Sequence, residues 1–90
     1  MAHVIRERKK LLARVRRIAG QVAALETALK ADAECTDVLV QAAAAKGAMH
    51  ALMMEILSGH LAEHVAAEPD EAERVRQAGA LFDLLRHYTR

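Results

Sequence analysis

Two long runs of apolar residues with heptad spacing constrain this chain more than any other feature of its sequence. In each run the apolar residues recur at alternating intervals of four and three, which is typical of a helix that packs along one side. The first run is Leu11, Val15, Ile18, Val22, Leu25 and Leu29, and the second is Val38, Ala42, Ala45, Met49, Leu52 and Ile56. The single proline, Pro69, follows both runs. The pattern therefore predicts two long helices without an internal break.

Turn-forming residues between and after these runs set the predicted helix boundaries. A short turn is predicted at residues 30–34, with Asp32 as the N-cap of the second helix. The sequence Glu68-Pro69-Asp70 ends that helix, and the acidic residues after it favour the start of a third. The predicted helices span residues 5–30, 33–66 and 70–88.

The predicted helix lengths also favour an oligomer. A helix of about 33 residues is roughly 50 Å long, which exceeds the diameter of a globule formed by so short a chain. Alanine supplies 20 of the 90 residues and aromatic residues only 2%, so one chain buries little area and is marginal alone. We therefore expect one all-α domain over residues 1–90, with a long antiparallel hairpin that pairs with a second hairpin into a four-helix-bundle dimer.

The composition excludes several classes of protein. One cysteine cannot form a disulfide within the chain, and 53% hydrophobic residues argue against disorder. No apolar run approaches the roughly 20 residues that cross a bilayer, so no membrane partner is expected. The charged N-terminal segment lacks the apolar core of an export signal. Together with the free thiol, these features predict a cytoplasmic protein.

Positive charge is concentrated at the start of the chain. Residues 1–17 carry a net charge of +6 and residues 18–90 a net charge of −5. Lys10, Arg14 and Arg17 repeat with heptad spacing beside the first apolar run. A basic stripe of this kind indicates a surface for a polyanion such as nucleic acid, and a solvated helix face is the alternative.

A second group of residues has the chemistry of metal ligands. His60 and His64 are four residues apart, so a helix presents both imidazoles on one face. Cys35 is predicted in the first turn of the second helix, where the helix dipole favours the thiolate. Removal of the initiator methionine would place the amine of Ala2 beside His3. These nitrogens and one thiolate suit Ni(II), Co(II) or Zn(II) better than Cu(I). The alternatives are a packed cysteine, solvated histidines and a disordered terminus.

The predicted helix keeps these ligands apart within one chain. Cys35 and His60 are separated by 25 residues, or roughly 38 Å along a helix. If two second helices pair in antiparallel orientation, Cys35 of one chain approaches His60 and His64 of the other. A site assembled in this way occurs twice in the dimer, once at each end of the interface.

The sequence has few features that are typical of an enzyme. His60-Leu-Ala-Glu63-His64 matches the H-x-x-E-H string of a class of zinc proteases, but no further ligand helix accompanies it. The chain has neither a glycine-rich phosphate loop nor a serine nucleophile motif. The sequence therefore predicts that the protein is no enzyme. A metal-binding protein or hydrolase without DNA binding is a minor alternative.

Several segments, in order and over nearly the whole length, resemble the small helical bacterial repressors of the CsoR/RcnR/FrmR type. These segments are 12–22 (LARVRRIAGQV), 32–35 (DAEC), 43–48 (AAAKGA) and 53–64 (MMEILSGHLAEH). The resemblance implies a disc-like tetramer built as a dimer of dimers. It also implies that the apo protein binds double-stranded operator DNA and releases it on sensing an inducer. The DNA contacts that it implies are Lys10, Arg14, Arg16, Arg17 and Lys46.

The resemblance also suggests the inducer. His3, Cys35, His60 and His64 match the RcnR-like nickel/cobalt subgroup, in which metal binding would derepress metal efflux. The implied ligands are these four residues and the amine of Ala2, with Ni(II) or Co(II) as inducer and Zn(II) as a further candidate. Formaldehyde-sensing members are similar too, but they have an N-terminal proline and a glutamate where His64 stands. A formaldehyde sensor with Cys35 as nucleophile is therefore the alternative.

Overall fold

The computed structural model describes residues 2–88, and every regular element in this part of the chain is helical. The elements are α1 (Ala2–Arg6), α2 (Arg8–Lys30), α3 (Cys35–His60), a π-helical segment (Leu61–Ala66) and α4 (Glu71–Tyr88). The predicted all-α class with three main helices and a long hairpin is confirmed. None of the described helices combines the length and apolar character needed to cross a bilayer.

The first predicted helix is divided at Glu7. This residue leaves ideal helical geometry, with φ −95° and ψ 9°. The chain nevertheless continues in the same direction, because the Glu7 N–H donates to the His3 carbonyl at 2.9 Å and the Leu11 N–H donates to the Glu7 carbonyl at 2.9 Å. α1 is therefore coupled to α2 through the backbone.

α2 and α3 form the antiparallel hairpin and lie in a single layer. The chain measures 55 × 30 × 13 Å, and its smallest dimension is close to the diameter of one helix with its side chains. Few side chains can be enclosed in such an arrangement. Its apolar core consists of Leu11, Ile18 and Ala28, all on α2.

The hairpin seam on α2 includes only half of the predicted apolar run. Leu11 and Ile18 are buried and Leu25 is half-buried, as expected for residues that face α3. Val15 and Val22 are about half exposed, at 46% and 52%. The positions between the buried residues on the α3 side are occupied by half-buried Arg14 and Gln21. The apolar stripe is thus wider than one partner helix covers, and the same holds on α3 for Met49 and Ile56, which are also exposed.

The turn between the two long helices corrects the predicted role of Asp32. This residue adopts a left-handed conformation with φ 55°, which an aspartate tolerates. The Ala33 N–H donates to the Ala28 carbonyl at 3.0 Å, and the Asp32 N–H donates to the Leu29 carbonyl at 3.4 Å. These are the two hydrogen bonds of a Schellman C-cap. Asp32 therefore ends α2, and the N-cap of α3 is Glu34, without a side-chain cap hydrogen bond.

The end of α3 widens into the π-helical segment and then turns into α4. The Ala67 N–H donates to the carbonyl of Ala62, five residues earlier, at 3.0 Å. Asp70 caps the next helix, since its Oδ2 accepts from the Glu73 N–H at 3.1 Å. α4 packs mainly on the π-helical segment. Phe82 on α4 is exposed, because one chain supplies no surface to cover it.

Candidate functional site

Three predicted ligands meet where α1 contacts the end of α3. His3 is only 4% exposed. Its ring centre lies 5.3 Å from that of His64 and 6.3 Å from that of His60. The rings of His60 and His64 are 4.8 Å apart. We call His3, His60, Glu63 and His64 the histidine cluster.

Glu63 joins this cluster as a carboxylate. Its Oε2 lies 3.3 Å from His3 Nδ1 and 3.5 Å from a guanidinium nitrogen of Arg6. One ligand atom from each of His3, Glu63 and His64 lies within 4.8 Å of the others. From the sequence, Glu63 has a predicted role only as the base of the H-x-x-E-H protease string. The same string could have identified Glu63 as a candidate ligand, because it places a carboxylate directly before His64.

The donor atoms of the cluster fit a divalent cation. His3 Nε2 is buried without a hydrogen-bond partner among residues 2–88, and His3 Nδ1 and Glu63 Oε2 are buried with no hydrogen bond beyond their ion-pair contacts. Buried polar atoms are normally satisfied, so such a group indicates a place for a further partner. Imidazole nitrogen and carboxylate oxygen are ligands of Ni(II), Co(II) and Zn(II). His3, Glu63 and His64 could hold such an ion, with His60 beside them.

The surroundings of His60 favour its neutral imidazole. Burial lowers the pKa of His60, and the neighbouring His64 and His3 lower it further. Desolvation disfavours the charged ring, and adjacent positive rings repel. Neutral imidazole is the form that ligates metal, so this shift of the pKa favours binding near neutral pH.

Cys35 lies at the opposite end of α3 from the histidine cluster. The thiol is free and exposed. α3 continues from Cys35 to His60 as one helix of 26 residues, so the thiol cannot approach the cluster of its own chain. The amine of Ala2 stays a prediction, because its formation depends on Met1, which lies outside the described residues.

The predicted DNA-binding residues fall into two groups. Lys10 Nζ lies 2.9 Å from Glu55 Oε1, and Arg14 Nε lies 2.5 Å from Glu55 Oε2. The Lys10 hydrogen bond lowers the pKa of Glu55, and the same contact raises the pKa of Lys10. These two cations are therefore paired to α3 within the hairpin.

The remaining three cations are exposed. Arg16 and Arg17 lie on the outer surface of α2, and Lys46 is exposed on α3. Within residues 2–88 none of the three forms an ion pair with a carboxylate. They are the predicted contacts that a phosphate backbone could reach without displacing an internal partner.

Comparison with known proteins gives consistent matches over the chain. Residues 7–87 match the family model described as metal-sensitive transcriptional repressor. The transcriptional repressor RcnR of Salmonella typhimurium strain LT2 is 43% identical over 88 residues, which cover 98% of each chain. An uncharacterised protein in the bioA 5′ region of Serratia marcescens is 48% identical over 89 residues, with the same coverage.

A solved structure gives the same result for the fold. It is a glutamate-to-histidine variant of the formaldehyde-responsive regulator FrmR from Salmonella enterica serovar Typhimurium. It superposes with a TM-score of 0.82 at 42% identity, over 92% of this chain and 94% of that chain.

The fold, the basic helix and these matches define a small all-helical transcriptional repressor. More particularly, the chain belongs to the metal-sensitive transcriptional repressor family, which includes the CsoR, RcnR and FrmR types. A repressor binds DNA, and the predictions of DNA as a partner and of a non-enzymatic protein are thereby confirmed.

Proposed function

We propose that this repressor responds to Ni(II) or Co(II): the metal-free protein binds operator DNA, and metal binding releases it and derepresses metal efflux. The observation that carries the proposal is the assembly of the His3, His60 and His64 imidazoles at one end of the hairpin, with His3 Nε2 buried and without a hydrogen-bond partner within residues 2–88. A repressor that detected its inducer only through a thiol would not need three imidazoles at one place. Zn(II) suits the same donors and is a competing ion.

The complete site requires a second chain. His3, His60 and His64 of one chain would hold the ion, with Cys35 of an antiparallel partner and the amine of Ala2 as further donors. The single-layer shape and the exposed apolar side chains on both long helices support pairing into a four-helix-bundle dimer. Two such dimers would form the disc-like tetramer.

The basic face is the proposed DNA surface. Arg16, Arg17 and Lys46 would contact phosphates directly, while Lys10 and Arg14 would first have to leave Glu55. His3 lies on α1, and hydrogen bonds through Glu7 continue α1 into the basic helix. Fixing His3 in an occupied site would therefore restrain that helix, which couples the site to DNA affinity.

An anaerobic titration of the reduced protein with Co(II), then with Ni(II), tests this proposal. We expect near-ultraviolet thiolate charge-transfer bands that saturate at about one metal per chain and are absent from Cys35→Ala. The metal-free wild-type and Cys35→Ala proteins should bind equally well to DNA upstream of the protein's own gene. Metal should release only the wild-type protein from this DNA. Absence of the bands, or metal-dependent release of Cys35→Ala, would contradict the proposal.

Formaldehyde is the second candidate inducer, favoured by the exposed thiol of Cys35 and by the similarity to the formaldehyde-responsive FrmR structure. The Cys35 thiolate would add to the aldehyde carbon, and condensation with an amine would expel water and leave a methylene bridge. The mass would rise by about 12 Da, which is the added formaldehyde minus the lost water. A bridge that forms together with DNA release would replace the metal proposal.

A further inference from the structure

The ring of His3 rests against the backbone of Gly59. A Cβ atom added to Gly59 would lie 2.7 Å from His3 Cδ2 and 3.2 Å from His3 Cγ. Such distances are shorter than those that packed carbon atoms tolerate. The missing side chain of Gly59 therefore provides the space that the imidazole occupies.

Other helical glycines have no such neighbour. A Cβ atom added to Gly47, on the same helix, or to Gly20, on α2, would meet nothing within 4 Å. Glycine in a helix interior costs about 1 kcal/mol relative to alanine. Alanine at Gly47 is thus expected to favour the helix without consequence for packing, whereas alanine at Gly59 must move the ring.

The ring of His3 cannot move without disturbing the cluster. It is buried, with Glu63 Oε2 at 3.3 Å from its Nδ1 and the ring of His64 at 5.3 Å. A ring displaced from Gly59 would lose this spacing, and α1 would have to shift with it. The contact with Gly59 is therefore a condition for the geometry of the cluster.

We infer that Gly59 is a positioning residue that seats His3, and with it α1, beside Glu63 and His64. The consequence for metal binding rests on the proposed function. The seating itself is a property of the metal-free chain, so it can be tested independently.

The test compares Gly59→Ala with Gly47→Ala in the metal-free protein. Both variants are expected to fold, because alanine is the better helix former at each position. Gly59→Ala should shift the imidazole NMR signals of His3 and speed hydrogen exchange at the Glu7 amide about tenfold, because that amide bonds to His3. Gly47→Ala should change neither. Equal His3 signals and equal exchange in the two variants would overturn the inference.

Measurements of Co(II) binding distinguish a positioning role of Gly59 from general structural damage. Gly59→Ala should weaken Co(II) binding about 10- to 100-fold, as expected for loss of a ligand's support, and Gly47→Ala should not. In a His3→Ala background, Gly59→Ala should cause no further loss, since the two changes act through one ring. If Gly59→Ala lowered Co(II) affinity as much in the His3→Ala background as it does alone, the inference would be overturned.

Failure of the wild type to bind Co(II) or Ni(II) would refute the proposed function. The measurements on the metal-free protein would still decide whether Gly59 seats His3.

Discussion

The two ends of α3 present their candidate ligands in opposite ways. At the C-terminal end, His60, Glu63 and His64 lie close together, and α1 adds a buried His3. At the N-terminal end, Cys35 stands exposed after the interhelical turn, and within residues 2–88 it belongs to no group of three candidate ligands close enough to share an ion. One chain thus brings together nitrogen and oxygen donors, and it leaves its thiol accessible to another molecule.

The physical cause of this difference is the stiffness of a long helix. Residues 60, 63 and 64 are neighbours along the chain, so local geometry alone brings them together. Cys35 is held at the far end by 26 residues of continuous helix. A site that combines the thiol with the histidine cluster therefore has to form between chains.

The largest effect is expected when two variants that each lack one side of the proposed site are mixed, because this tests whether the two ends of α3 from different chains share one ion. Cys35→Ala and His64→Ala should each lose the thiolate–Co(II) bands, because each chain lacks one side of the proposed site. After the two are unfolded together and refolded, half of the dimers should be mixed, with one intact site each. Absorption spectroscopy should then recover about one quarter of the wild-type band intensity.

The exposed His50 provides the matched control for this experiment, since it lies on α3 outside the cluster. His50→Ala alone should keep the full bands. Absence of any recovery in the mixture would show that Cys35 and His64 do not share a site across chains.

A smaller effect is expected from the ion pairs that distinguish the two ends of α2. Near the histidine cluster, Glu55 binds both Lys10 and Arg14, which are candidate phosphate contacts. Glu55→Gln should raise the DNA affinity of the metal-free protein several-fold, because a competing carboxylate charge is removed. The dependence of affinity on salt should steepen by up to about 0.9 per released cation.

Glu26→Gln is the control for this prediction. Glu26 pairs only loosely with Lys30, at 3.8 Å, near the turn that precedes Cys35. Its removal should leave DNA affinity and salt dependence unchanged when both are measured by fluorescence anisotropy at several salt concentrations. The same slope for Glu55→Gln and wild type would exclude Lys10 and Arg14 from the interface.

The smallest expected effect is a difference in sensitivity to low pH between the histidine cluster and α4, which lies beside it. Hydrogen bonds from Arg76 and, to a smaller extent, from Gln77 lower the pKa of the Glu73 carboxyl from its ordinary 4.5 to about 2. A lowered carboxyl pKa contributes stability above the ordinary value, and this contribution is lost as the pH falls towards about 2. Metal binding requires deprotonated ligands, so it should fail at a higher pH than the one at which the Glu73–Arg76 ion pair at the start of α4 is lost.

Carboxyl ¹³C NMR can follow Glu73 directly. Arg76→Ala should return the pKa of Glu73 towards 4.5, and Arg86→Ala, which removes the partner of Asp83, should not. A Glu73 that titrates near 4.5 in the wild-type protein would show that the ion pair does not persist in solution.

Local patterns in the sequence determined the helices and the kinds of candidate ligand. Heptad spacing and Pro69 led to three main helices with ends close to those observed, because helix formation depends on neighbouring residues. The interval of four residues likewise placed His60 and His64 together. The basic character of the first long helix could also be predicted from composition alone.

Tertiary structure decided which of these residues meet. The hairpin register placed Arg14 and Gln21 in the seam and left Val15 exposed, because each side of a broad stripe can pack equally well on a partner helix. The chain reversal placed Asp32 directly after Ala31, the C-cap of α2, since its left-handed conformation suits the end of α2 better than the start of α3. The contact of His3 with Gly59 and Glu63 links positions more than 50 residues apart, and local periodicity carries no information about such contacts.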